Sequence, residues 1–139
     1  MLLASYLDQV DGRAAFDWRT NNCCHFAARW WQAATGCDPL QGIDMPADAN
    51  EARRWLSGRG LLVDLVSERL GRSPIDPRMA RAGDVLIISA AELVPGGIRA
   101  ALGICAGRLA VMLSADGQLV RGPMASAVHA FPLEKERCA

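Results

Sequence analysis

Apolar residues Leu2, Leu3, Tyr6, Leu7 and Val10 recur at helical spacing and stop at Asp11-Gly12. This predicts a short amphipathic helix over residues 2–11, lying on the core as a lid. Phe16-Asp17-Trp18 reads as an extended approach to a second helix, over about residues 22–35, with Asn21 or Asn22 as its N-cap and Gly36 and Pro39 as its stop. Along that helix Cys23, Ala27, Trp30 and Ala34 form one stripe, with Phe26 beside it, and Cys24, Ala28 and Trp31 form another. A helix apolar over most of its circumference belongs in the middle of a fold. Two further helices are predicted at about 48–57 and 61–70, parted by Ser57-Gly58-Arg59-Gly60, and a turn-rich stretch from Gly71 to Pro77 ends the helical half.

The period then changes. Short apolar runs at Val85–Ile88, Ala100–Cys105, Leu109–Leu113, Leu119-Val120 and Val128–Leu133 are split by Pro95-Gly96-Gly97, Gly107 and Asp116-Gly117. That punctuation predicts an antiparallel meander of about four to six strands drawn from residues 84–133. Helices first and strands second is the α+β pattern, with the central helix on one face of the sheet. At 139 residues the chain suits a single domain over residues 1–139, a helical half to about residue 72 and a sheet half from about 83 to 133.

Charge removes several function classes. Fifteen basic and fifteen acidic residues cancel, and no Lys/Arg run is interleaved with aromatics, so a nucleic-acid partner is not expected. The N-terminal segment carries Asp8 within its apolar stretch and lacks a basic leader, and no apolar run reaches the ~20 residues of a membrane span. A cytoplasmic, soluble product is the expectation. Five cysteines, at 23, 24, 37, 105 and 138, form an odd set without a CxxC pair, so free thiols are expected. Adjacent helical residues point about 100° apart, which argues against a metal shared by Cys23, Cys24, His25 and Cys37; no metal and no cofactor is expected.

The chemistry-bearing stretch is Trp18–Phe26, which puts a thiol where a loop becomes a helix. Free N–H groups and the positive end of the helix dipole stabilise a thiolate there, making Cys23 the candidate nucleophile. Its partner is the difficulty. His25 lies two positions on, where helical side chains diverge by roughly 200°, so a cap-associated imidazole is its expected role. His129, in the last predicted strand, shares a face with Ala127 and Phe131 by simple alternation. Were that face buried beside the helix, His129 would be a replacement base. Cys24 and Cys105 read as packing, and Cys138 as a thiol in a polar tail.

Three ordered segments resemble the NlpC-type cell-wall peptidases. The family's tryptophan followed by Asp-Cys-x-x-Phe resembles Trp18 with Asn22-Cys23-Cys24-His25-Phe26; its Gly-Asp-Leu/Val strand opening resembles Gly83-Asp84-Val85; its His-Val-Gly-Ile resembles Ala101-Leu102-Gly103-Ile104. The resemblance spans about residues 14–133 and implies a papain-like fold, a cysteine-bearing helix set against an antiparallel sheet. The opening helix, the Phe-x-Trp entry and the double cysteine are similar to a branch of that superfamily from tail modules of bacteriophages and gene-transfer agents. Three departures bear on activity: Asn22 stands for the usual Asp, Ala101 for the general base, and Leu113 lies near the place of the residue that orients that base. A general base contributes about 10²–10⁴ in rate, and alanine supplies none of it.

The resemblance therefore implies a catalytically degenerate domain with Cys23 retained, acting as a structural or assembly part of a phage-type tail tip or baseplate, incorporated in the virion and partnered by other tail proteins. The alternative is a cysteine peptidase or amidase on peptidoglycan peptides, with His129 or a partner's residue as base. Trp31 and Trp55, with Arg53, Arg54 and Arg59 near by, mark the helical surface expected to carry a protein interface if those rings are exposed.

Overall fold

The structure is a computed structural model that describes residues 1–57, 62–89 and 100–134, the side chains of residues 55–57 excepted. Among the described residues four α-helices precede a five-stranded antiparallel sheet: α1 (Leu3–Val10), α2 (Cys23–Thr35), α3 (Ala49–Ser57) and α4 (Leu62–Leu70), then β1 (Val85–Ser89), β2 (Ala100–Cys105), β3 (Leu109–Leu113), β4 (Leu119–Pro123) and β5 (Ala127–Phe131). Their spatial order is β4-β3-β2-β1-β5. The meander thus runs outward from β1 to β4, and β5 returns to the other side of β1. No described helix is long and apolar enough to cross a membrane.

Side-chain alternation divides the sheet into two faces. Val85, Ile87, Leu102, Ile104, Val111 and Phe131 meet the helices, with Ala27 and Trp31 of α2 packed beside Val66 and Leu70 of α4, and Phe26 and Trp30 beside Tyr6 and Leu7 of α1. The first helix is accordingly a lid whose Tyr6 and Leu7 are buried, while Leu2 stays 77% exposed. On the opposite face Leu86, Ile88, Ala101, Cys105, Met112 and Ala130 are covered by loop residues Trp18, Ile75, Ala80 and Met124. Ala34, on the last turn of α2, is exposed because the helix has by then run past the sheet.

Two polar devices tie the layers together. Gly83 adopts φ +97°, and its carbonyl accepts a hydrogen bond from the Trp30 indole at 2.8 Å; a Cβ there would come within 3.3 Å of that ring. The next residue, Asp84, is fully buried and accepts from the backbone N–H of Arg81 and of Leu133, both at 2.9 Å. Gly-Asp thus joins the start of β1 to α2 and to the chain leaving β5. Arg72, beyond α4, stacks over Trp31 at 5.1 Å and donates to the carbonyls of Pro132 and Leu133 at 3.1 Å.

A bulge changes one expectation. Strand β5 pairs Phe131, Ala130 and His129 with Val85, Leu86 and Ile87, but Ala127 with Ile88, so the register shifts between Ile87 and Ile88. Val128 is the extra residue and is 51% exposed. His129 therefore shares the helix-side face with Phe131 but not with Ala127, which packs on the opposite face.

Candidate functional site

The site is built at the start of α2. Asn22 is the N-cap: its side-chain oxygen accepts from the backbone N–H of Cys24 at 2.8 Å and of His25 at 3.1 Å. His25 Nδ1 accepts in return from the Asn22 backbone N–H at 3.1 Å, completing a reciprocal capping box with a histidine where Glu or Gln usually stands. The Asn22 amide donates to the Trp18 carbonyl at 2.6 Å and to the Met45 sulfur at 3.5 Å. Asn22 is 3% exposed, so each of these partners matters. Asn21, the other candidate cap, instead pairs with Asp17 in an isolated bridge, donates to the carbonyls of Ala14 and Ala15, and accepts from Arg29.

Cys23 opens the helix and is half-buried. It packs against both core layers. Strands β2 and β3 pair only at Ile104–Val111 and Cys105–Ala110. Cys105 directs its N–H and carbonyl to the β1 side, bonding Asp84 and Gly83 at 2.8 Å, so by alternation Ile104 and Leu102 face β3. At Leu102 that ladder has ended. The Cys24 thiol and the Leu102 backbone are the neighbours whose hydrogen bonding acts on the Cys23 thiol. These interactions, the Cys24 thiol first, hold Cys23 below the ordinary thiol pKa against the opposing effect of burial, while the neighbouring sulfur and burial push Cys24 well above it.

Ala101 precedes Leu102, is 1% exposed, and lies in the layer against which Cys23 and Trp18 pack. The two imidazoles lie elsewhere. His25 faces away as part of the cap and lines a polar groove of about 350 Å³ with Arg19, Arg29, Gln32, Asp38 and Asp44. His129 pairs with Ile87, which pairs with Leu102 on its other side. Two interstrand spacings, about 10 Å, thus separate its backbone from the strand that Cys23 touches. His129 therefore stands on the helix side of the sheet, two strands across from β2.

On its other side α2 walls an apolar cavity of about 70 Å³ shared with Leu40, Met45, Leu62 and Leu102, into which Cys24 faces. Among the described residues no group of three or more His, Cys, Asp or Glu is placed to hold a metal. Trp31, whose exposure would have marked an interface, is 2% exposed: it is enclosed by α4 and the sheet and capped by Arg72, so it gives no support to an interface there. The Trp55 side chain, Arg59 and Cys138 lie outside the described residues.

The cap-associated role expected of His25 is the one it takes, in reciprocal bonding with Asn22. The pairing of Asn22 with Trp18 and Met45 has no local sequence signal beyond the suitability of Asn as a cap. The chain belongs to a protein family described as a domain of unknown function, DUF6950, whose family model matches residues 2–133. Comparison with curated proteins finds no match.

Proposed function

We propose that this chain is a papain-like, NlpC-type domain that keeps the nucleophile position and lacks the base, and that it serves as a structural or assembly component of a phage-type tail tip. One observation carries the reading: Cys23 begins a helix that packs on β2 of an antiparallel sheet and touches the layer that holds Ala101. The resemblance of the three ordered segments supports the reading, since it puts Ala101 in the place of the general base. On that reading no imidazole stands there to take the thiol proton and return it to a leaving amine, as amide hydrolysis needs.

The alternative, a cysteine hydrolase on peptidoglycan peptides, draws support from one feature: the hydrogen bonds that favour a Cys23 thiolate. Release of muropeptides from purified sacculi separates the two. The proposal expects no turnover by the protein, whereas turnover abolished by Cys23→Ala would establish the hydrolase. The assembly role expects the chain in purified tail particles by mass spectrometry, and its consistent absence from them would refute that role.

A further inference from the structure

We infer that the start of α2 is a pH-responsive latch: neutral His25 holds the first turn by accepting the Asn22 backbone hydrogen, and protonation of His25 releases it. The inference rests on the cap geometry and not on the proposed function. His25 Nδ1 is an acceptor in the structure, at 3.1 Å from the Asn22 nitrogen. An imidazolium has no acceptor left, so protonation would set two N–H groups against each other. It would also place a positive charge at the positive end of the helix dipole. Both effects act in the same direction.

The surroundings reinforce this. Arg29, one turn along α2, is fixed by the Asn21 side chain at 3.2 Å and the Thr20 carbonyl at 2.9 Å, so it stays beside the ring. Arg19 of the entry loop also lines the groove that His25 faces; on the opposing side stand Asp17 of that loop and Asp38 and Asp44 of the segment after α2. Burial and then Arg29 hold the imidazole below its ordinary pKa, outweighing the pull of Asp17 and Asp38. The groove of about 350 Å³ gives the ring a route to solvent protons.

The consequence reaches Cys23 through one residue. The same Asn22 whose backbone His25 holds also caps Cys24 and His25 and anchors the Trp18 carbonyl. Releasing it loosens the first turn, the Trp18 approach and the setting of the Cys23 thiol together. Because the folded state disfavours the imidazolium, the unfolded chain binds more protons as pH falls below about 6.5, and the stability present above that value is lost on the acid side.

The test is amide hydrogen exchange at Asn22, Cys24 and His25, corrected for intrinsic rates, on the full chain from about pH 7.5 to about pH 5, with the imidazole nitrogen shifts recorded in parallel. The expected result is a neutral ring protonated at Nε2 at the upper pH, and a loss of protection of about tenfold at those amides as the ring titrates, the scale of one hydrogen bond. His25→Gln keeps a capping-box acceptor that does not titrate, and should abolish the acid-side loss. A ring protonated at Nδ1 at the upper pH, protection that does not change through the titration, or an equal loss in His25→Gln would each overturn the latch. The ring tautomer and the wild-type exchange decide the matter even if the variant does not fold.

Discussion

Replacing Asn22 with aspartate, the residue usual in the NlpC-type peptidases that the segment resembles, should destabilise this protein. The side chains are nearly the same shape, and the oxygen that caps Cys24 and His25 at 2.8 and 3.1 Å is retained. What changes is the other atom: the amide nitrogen donating to the Trp18 carbonyl at 2.6 Å becomes a second oxygen facing an oxygen. At a position 3% exposed, an orphaned buried acceptor costs about 1–3 kcal/mol. A carboxylate at a helix N-terminus returns about 0.3–1 kcal/mol. The net loss for Asn22→Asp is therefore about 1–2 kcal/mol at neutral pH. Asn22→Ala loses both the cap, about 1 kcal/mol, and the Trp18 bond, and should fall about 2–4 kcal/mol below wild type.

Urea unfolding followed by far-ultraviolet circular dichroism measures the ranking, wild type above Asn22→Asp above Asn22→Ala. Protonating the introduced carboxyl gives it a hydrogen to donate to the Trp18 carbonyl. Its deficit should therefore narrow as pH approaches the ordinary carboxyl value of about 3.9. If Asn22→Asp equals or exceeds wild type at neutral pH, the Trp18 bond contributes nothing and the charge–dipole effect governs this position. The preference for Asn would then need another cause.

Other outcomes follow from single contacts. Gly117, at φ +82° in the β3–β4 hairpin, holds the entry loop through its carbonyl, which accepts from Gly12 at 3.0 Å, and an added Cβ would lie 1.8 Å from the Ala14 carbonyl oxygen. Gly117→Ala should cost about 2–4 kcal/mol in denaturant melts, and a loss under about 0.5 kcal/mol would show that the loop moves aside freely. Tyr6, the chain's single tyrosine, donates to the Phe26 carbonyl, and burial pushes its phenol up to about 12. Its phenolate absorbance should rise near that value. Since the folded pKa exceeds the unfolded one, stability present below about pH 10 should decline as pH climbs above it; a midpoint near 10 would refute the burial.

Local periodicity carried most of the architecture. The four helices and five strands fall close to their expected spans because each segment has one dominant spacing, near 3.6 or 2, closed by Gly, Pro or Asp. The α+β class and antiparallel pairing follow from the order of those segments. Cys23 as the first residue of the central helix was also legible, because an Asn cap before an apolar run is a local signal.

Relations between distant segments were set by tertiary structure alone. Alternation placed His129 with Ala127, but a bulge opposite Ile87 and Ile88 separates their faces, and no local pattern encodes which strand slips. Trp31 was costly to expose, and what covers it, α4 and Arg72, lies about forty residues away in sequence. Cys23 packs against the sheet layer that holds Ala101, and the β2–β3 ladder ends at Ile104, through the way helix and strands meet. Spacing along a chain states which side chains share a face; where a ladder stops, and what fills the opening, depends on the packing of all the elements at once.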